Sequence, residues 1–461
     1  METTTRIAED ALLALLAAGD SKAIRAALED MPPADIVDTI AGLEAAQVAA
    51  VLAALPPDVS AGAFGYFAPA QQVAIARAMP RAALQRLFTD MPHDERADLW
   101  KSLPEDERDA LLPGLAAAER EDIRRLASYP EGTAGSIMTS DYARLAPSLT
   151  VREAIEALRR EAPDRETIYD AYVTDEDRRL VGVVSLRDLL VSADDQRVAD
   201  IMTTDVVFAR VDDSRESVAE KIADYDLLAI PVIDSSDMLV GIVTVDDALD
   251  VAEEALARRL TRFGGTSALG GPDIDMVSSS FWTMFRARYV WLAFLTAFGM
   301  ISSLFVAAQE EILAEVIVLA AFIAPIIDMG GNTGSQSATL VIRAMALGQV
   351  DSVWRDVLKI LKRDVPVAAA LGIGVAVLEL VLALIFKEGL LPEVLWVVGL
   401  SMLIVTVAGS LFGVTIPFLA RALKVDPATL SAPLITSVMD LIGVVIYFGI
   451  ASVFLADLLG G

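Results

Sequence analysis

Apolar positions change their rhythm twice along this 461-residue chain. Up to about residue 130 they fall at helical spacing, as in Ile36, Ile40, Leu43 and Val48, in short runs. An apolar residue and a proline punctuate these runs at Met31-Pro32, Leu55-Pro56, Met79-Pro80, Met91-Pro92, Leu103-Pro104 and Leu112-Pro113. Proline fits the first turn of a helix and stops the helix before it. Residues 1–131 therefore read as an all-α, solenoid-like domain of short paired helices. From about residue 283 five long apolar runs follow, roughly 287–307, 314–343, 365–387, 391–421 and 429–457. Each reaches the ~20 residues that a membrane-crossing helix needs. Residues 276–461 read as an α-helical transmembrane domain with five spans.

Between these regions the chain repeats itself. Gly135-Ser136-Ile137-Met138-Thr139 matches Ala199-Asp200-Ile201-Met202-Thr203, and Val181-Gly182-Val183-Val184-Ser185 matches Val240-Gly241-Ile242-Val243-Thr244. Each half predicts a helix and then two strands, with Ser185 and Asp188, or Thr244 and Asp247, opening the next helix. Residues 132–250 resemble a tandem pair of α/β cystathionine-β-synthase (CBS) domains, which in that family bind adenine nucleotides or ions and regulate an attached domain. After it, residues 251–275 predict an amphipathic connecting helix ending in a joint at Gly264-Gly265 and Gly270-Gly271-Pro272.

Charge adds orientation. Arg286 and Arg288 precede the first span; Arg343, Arg355, Lys359, Lys362 and Arg363 separate the second and third; Arg421 and Lys424 separate the last two. The other loops carry Glu310, Glu311, Lys387, Glu388 and Glu393, and the tail Asp457. The positive-inside rule then puts the N-terminal half in the cytosol and the C-terminus outside. From Asp275 onward ten Lys/Arg face fourteen Asp/Glu, a net of −4; with −28 overall, the first 274 residues carry −24. Such a surface argues against nucleic acid or anionic lipid as partners and suits divalent cations. No cysteine is present, and His93 is the single histidine, so thiolate and multi-histidine metal sites are excluded. With no Walker motif or nucleophile elbow either, the chain does not read as an enzyme. Its N-terminus, with Glu2, Glu9 and Asp10, does not read as a signal peptide.

The candidate chemistry lies inside the spans. Pro325-Ile326-Ile327-Asp328-Met329-Gly330-Gly331-Asn332-Thr333-Gly334-Ser335-Gln336 interrupts an apolar run with polar and helix-breaking residues. Breaks at membrane depth must face protein or a wet cavity. The glycines alone fit close helix packing equally well. Asp328, Asn332 and Gln336 add the mark of a pathway. Asp440, in Thr436-Ser437-Val438-Met439-Asp440, lies in the fifth span, and Glu379 in the third. No basic residue lies at comparable depth, so these acids are either protonated or meet a mobile cation. Hydrated Mg²⁺ needs only one or two carboxylates with polar oxygens. For Glu379 a neutral, hydrogen-bonded acid is an equal reading.

The whole order resembles the MgtE family of bacterial magnesium channels: helical N domain, CBS pair, connecting "plug" helix, five-span membrane domain. The motifs that carry the resemblance are Gly330-Gly331-Asn332-Thr333-Gly334-Ser335-Gln336-Ser337, the segments around Asp224-Tyr225-Asp226 and Asp247-Ala248-Leu249-Asp250, and Asp426-Pro427, Pro433, Asp440, Gly443 and Tyr447. The resemblance implies a homodimer in the bacterial inner membrane, with one pore at its interface. Mg²⁺ would be both substrate, at Asp440, Asn332, Asp328 and Thr436, and regulator. Cytosolic Mg²⁺ would close the pore by bridging Asp94, Asp98, Glu216, Asp226, Asp247, Asp250, Glu253 and Glu254. ATP at the CBS pair would use Asp188. The connecting helix departs from the family, with Ala255, Arg258 and Arg259 where members often carry acids, and Ala432 stands where a relative has an amide. Two other readings remain: a Na⁺- or H⁺-coupled divalent-cation transporter, and a CBS-containing membrane sensor whose spans only anchor it.

Overall fold

The computed structural model describes residues 9–108, 111–112, 115–162, 166–265, 279–350, 354–386, 391–429 and 432–455. Pro113, the Gly270-Gly271-Pro272 joint, Lys387, Glu388 and Asp457 lie outside the described residues. The chain divides into two compact units, residues 1–253 and 254–461.

Among the described residues, ten helices begin the first unit: α1 (Glu9–Ala18), α2 (Ser21–Leu28), α3 (Pro33–Ile40), α4 (Ala45–Ala54), α5 (Pro57–Gly65), α6 (Pro69–Ala78), α7 (Arg81–Asp90), α8 (His93–Ser102), α9 (Glu105–Arg108) and α10 (Ala117–Ala127). Pro32, Pro56, Pro80 and Pro92 sit at the N-caps of α3, α5, α7 and α8. The residue before each of them, Met31, Leu55, Met79 or Met91, is buried in one continuous core. The apolar residue pins the junction while the proline ends one helix and starts the next.

The repeated region is built from two like halves. One half is β1 (Tyr142–Leu145), α11 (Val151–Glu161), β2 (Thr167–Thr174), β3 (Leu180–Ser185) and α12 (Leu186–Val191). After α13 (Val198–Ile201), the other is β4 (Ala209–Arg210), α14 (Arg215–Asp224), β5 (Ala229–Ile233), β6 (Leu239–Thr244) and α15 (Val245–Phe263). Each sheet has three strands, the first parallel and the last antiparallel to the middle one. The sequence pattern predicts two strands in each half where there are three; the leading strand, four residues in β1 and two in β4, is too short to show an alternation.

The repeated motifs pack crosswise. A Cβ on Gly241 would lie 2.7 Å from Met138 Sδ, and one on Gly182 would lie 2.6 Å from Met202 Sδ. The methionine ahead of each half thus fills the space that glycine leaves in the other half's sheet. Main-chain bonds repeat the exchange, with Thr139 N donating to Ile242 O at 2.8 Å and Val183 N to Thr203 O at 2.9 Å. One core joins Ala97 of α8 and Leu126 of α10 to Val218, Ile230, Val243 and Ala248 of the second half. That shared core brings the start of α8 against the start of α15.

Among the described residues, the second unit contains five helices long and apolar enough to cross a membrane. They are α16 (Phe281–Ala307), α18 (Ala320–Ala346), α19 (Trp354–Phe386), α20 (Pro392–Ala422) and α21 (Ala432–Phe454), with short α17 (Glu310–Glu315) between the first two. A 3₁₀ turn, Ile317–Leu319, leads into α18. α18 packs against both α20 and α21. The expected break in the glycine stretch is absent: α18 is one helix through Pro325 and all its glycines. Neighbouring helices and local adjustment accommodate such residues in membrane helices.

Candidate functional site

The glycines and the polar residues of α18 serve different faces. Gly330, Gly331, Thr333, Gly334 and Ser337 are buried, whereas Asp328, Asn332 and Gln336 are exposed in the single chain. A Cβ on Gly409 of α20 would run into the carbonyl oxygen of Gly330, and one on Gly413 into that of Gly334. A Cβ on Gly331 would meet Thr436 Cγ2 of α21 at 2.8 Å. Small residues let the three backbones approach this closely. The opposite face then carries Asp328, Asn332 and Gln336, four residues apart in one row.

Asn332 Nδ2 donates to Asp328 Oδ2 at 3.0 Å. Asp440, half-buried on α21, feels the like charge of Asp328. Among the described residues no basic side chain pairs with Asp328, Asp440 or Glu379. Thr436 is spent differently: its hydroxyl donates to Ala432 O at 3.0 Å and lies 3.4 Å from Ser335 Oγ. The arrangement offers carboxylate and amide oxygens on an open face, a donor set for a hard cation that keeps much of its water.

The second site lies in the first unit. Pro92 starts α8, and its first turn carries Asp94 and Glu95. Arg96 turns back to donate to Thr89 O and Met91 O, both at 2.8 Å. Asp94 Oδ1 and Glu95 Oε2 are buried without a hydrogen-bond partner. Burial, then the charge of Glu166, pushes the Asp94 carboxyl up. Burial pushes Glu95 up to about 8, reinforced by Asp94, Asp247 and Glu166. Asp247 is raised by burial and by Asp94, although Thr244 Oγ1 donates to its Oδ2 at 2.7 Å. Buried carboxylates that repel one another and lack donors are relieved by a proton or a cation.

The other predicted residues are scattered. Asp250 acts on Asp247, while Asp98 faces Glu131, Lys101 and Arg215 instead. Glu216 lies 3.7 Å from Arg215 Nε, and Glu254 pairs with Arg258 at 3.4 Å. Asp226, with φ +51°, and Glu253 are exposed. Ser185 caps α12: its Oγ accepts from Asp188 N at 3.1 Å and donates to Asp188 Oδ2 at 2.6 Å. Among the described residues no three histidine or acidic side chains are gathered tightly enough to hold a metal ion. Glu95 and Glu166 escaped the sequence reading. Glu95 stands in sequence only as one more acid in a helix's first turn, and Glu166 reaches Asp94 only through the tertiary fold.

His93, beside this cluster, has Nδ1 2.9 Å from Asp122 Oδ2 and 2.7 Å from Ser140 Oγ, and Nε2 3.3 Å from Asp141 Oδ2. Burial disfavours its charged form, but the bond to Asp122 and the charge of Asp141 outweigh this and raise its pKa.

Three family models cover most of the chain. That of the divalent cation transporter MgtE matches residues 323–450, that of the MgtE intracellular N domain matches 31–132, and the CBS domain matches 134–194 and 198–254. The magnesium transporter MgtE of Thermus thermophilus is 35% identical over 440 residues, 95% of this chain and 96% of its own length. That of Bacillus subtilis is 32% identical over 447 residues, 97% of each chain. A crystal structure of the cytosolic domain of the Mg²⁺ channel MgtE in complex with ATP aligns with a TM-score of 0.51 and 39% identity, covering 53% of this chain and 99% of that one. With 35% identity to a magnesium transporter MgtE over 95% of its length, and with the N-domain, CBS and transporter models matched in turn along it, the chain belongs to the MgtE family.

Proposed function

We propose that the protein is a Mg²⁺-selective channel of the bacterial inner membrane that admits magnesium and is closed by magnesium on its cytosolic side. The observation that carries this is the row Asp328, Asn332 and Gln336 facing outward beside Asp440, with no basic side chain paired to these acids among the described residues. Relatives named magnesium transporters support the choice of ion. In a homodimer the exposed rows of two α18 helices would face each other. Asp440 from each copy would then meet the ion through its water shell. Magnesium dehydrates reluctantly, so outer-shell contacts let it bind and still leave.

Closure would use the buried acids. Mg²⁺ between Asp94, Glu95, Glu166 and Asp247 would replace repulsion with attraction and hold α8 against the start of α15. The end of α15 is fastened to the loop before α21: Arg262 Nη1 lies 2.7 Å from Asp426 Oδ2. A movement of that helix would reach the segment leading to Asp440. Glu216, Asp226, Asp250, Glu253 and Glu254 would add sites as the surfaces meet. The CBS pair would also take ATP, with the uncommitted oxygen of Asp188 accepting from a ribose hydroxyl.

Mg²⁺ entry into proteoliposomes under a membrane potential, without Na⁺ or H⁺ gradients, tests the channel reading. Entry that follows the potential and stops when sensor-side Mg²⁺ is raised is expected. Entry that requires a Na⁺ or H⁺ gradient would replace the channel with a coupled transporter.

A further inference from the structure

Asp364 was hidden among the basic residues before the third predicted span. α19 begins at Trp354, so Asp364 lies roughly 15 Å along it at 1.5 Å per residue. Its Oδ2 accepts from Ser337 Oγ of α18 at 2.6 Å and from Ser410 Oγ of α20 at 2.7 Å. Both serines are buried, at 5% and 0% exposure. Among the described residues Asp364 has no basic partner. One carboxylate oxygen therefore ties three spans together with two charge-assisted hydrogen bonds.

The placement of the serines gives the bracket its use. Ser337 lies three residues beyond Gly334, and Ser410 lies between Gly409 and Gly413, so both sit at the glycine crossing of α18 and α20. Glycine contacts set how close the two helices come, but smooth surfaces leave sliding and rotation cheap. Hydrogen bonds at 2.6 and 2.7 Å do not: a one-residue slip of α18 or of α20 moves that helix about 1.5 Å and breaks the bond from its own serine. Nine residues separate Asp328 from Ser337, about half a turn around the helix at 100° per residue. Holding Ser337 inward thus aims Asp328 and Asn332 outward.

We infer that Asp364 is a positioning residue of the ion pathway: with Ser337 and Ser410 it fixes the register and rotation of α18, and so the aim of its polar row. The inference rests on the reading of α18 as pathway-lining. A rival role as a charge that attracts cations makes the opposite demand on an amide substitute. Asn keeps an acceptor oxygen for both serines but carries no charge.

The test uses Asp364→Ala, Asp364→Asn and the double variant Ser337→Ala/Ser410→Ala in the full chain. Mg²⁺ flux per folded protein is measured in each. The chain lacks cysteine, so Gln336→Cys in each background also reports, by its rate of modification with a charged thiol reagent, whether the row still faces water. The expected result is a flux loss of roughly tenfold or more and an altered modification rate in Asp364→Ala and in the double variant, because a loosely supported site misaims its ligands. Asp364→Asn should stay close to the parent in both readouts. Unchanged flux and modification in Asp364→Ala would overturn the inference, and so would an Asn variant as impaired as Ala. Should Asp364→Ala fail to fold, the serine pair decides the same question. Absence of flux in the unmodified protein would overturn the transport reading, while the modification rates would still decide the bracket.

Discussion

Two buried oxygens, Asp94 Oδ1 and Glu95 Oε2, carry the sensor argument, and they make its pH dependence specific. Glu95 titrates near 8 in the folded unit against an ordinary 4.5. Between those values the folded state holds more protons than the unfolded chain, so stability falls as pH rises across the window. His93 acts in the same sense: its raised pKa gives stability at low pH that is lost as pH climbs through the folded value. Without Mg²⁺, the thermal midpoint of the first unit's transition should be lower by ~5 °C or more at pH 8.5 than at pH 6. Saturating Mg²⁺ should narrow the gap, since the cation does the proton's work. Calorimetry showing a midpoint independent of pH would count against the cluster. Glu95→Gln removes one of the repelling charges; it should flatten the profile and weaken the stabilisation by Mg²⁺.

Among the elements, the proposed pathway rests on α18 and the proposed closure on α15. The crossing of α18 with α20 has no room for a side chain at Gly409, whereas a Cβ at Gly374 of α19 meets nothing within 4 Å. Gly409→Val should therefore destabilise the membrane unit by about 2 kcal/mol or more, while Gly374→Val stays near the parent in detergent unfolding. Equal loss in both would mean that valine harms these helices regardless of packing. On α15, Arg262 and Asp426 are each about one-third exposed, and such a pair is worth only ~1 kcal/mol or less. Arg262→Ala should raise the Mg²⁺ concentration for half-closure by only about two- to fivefold. Restoration by exchanging the pair, Arg262→Asp with Asp426→Arg, would tie the effect to that contact. An unchanged threshold in Arg262→Ala would remove the pair from the coupling path.

At the scale of the whole molecule, architecture was more legible than sites. Five apolar runs, prolines behind buried Met and Leu, and a doubled Ile-Met-Thr with Gly-Val/Ile-Val all act locally, so spacing alone exposes them. The doubled signature also has a reason that a linear reading does not contain: Met138 and Met202 fill the gaps at Gly241 and Gly182 across the two halves. The polar row of α18 was found as residues but misread as a break, because Gly and Pro weaken an isolated helix while packed neighbours keep this one continuous. Glu95, Glu166 and Asp364 were missed for one reason. Each takes its meaning from a partner far away in sequence: Asp247, Asp94, or Ser337 and Ser410.

The central claim is that Asp440 meets the permeating ion. Mg²⁺ current through the reconstituted protein, recorded with sensor-side Mg²⁺ removed, should vanish in Asp440→Ala and fall by roughly an order of magnitude or more in Asp440→Asn. The first unit's transition should keep its response to Mg²⁺ in both variants. Parent-level current in Asp440→Ala would contradict the account and remove that carboxylate from the pathway.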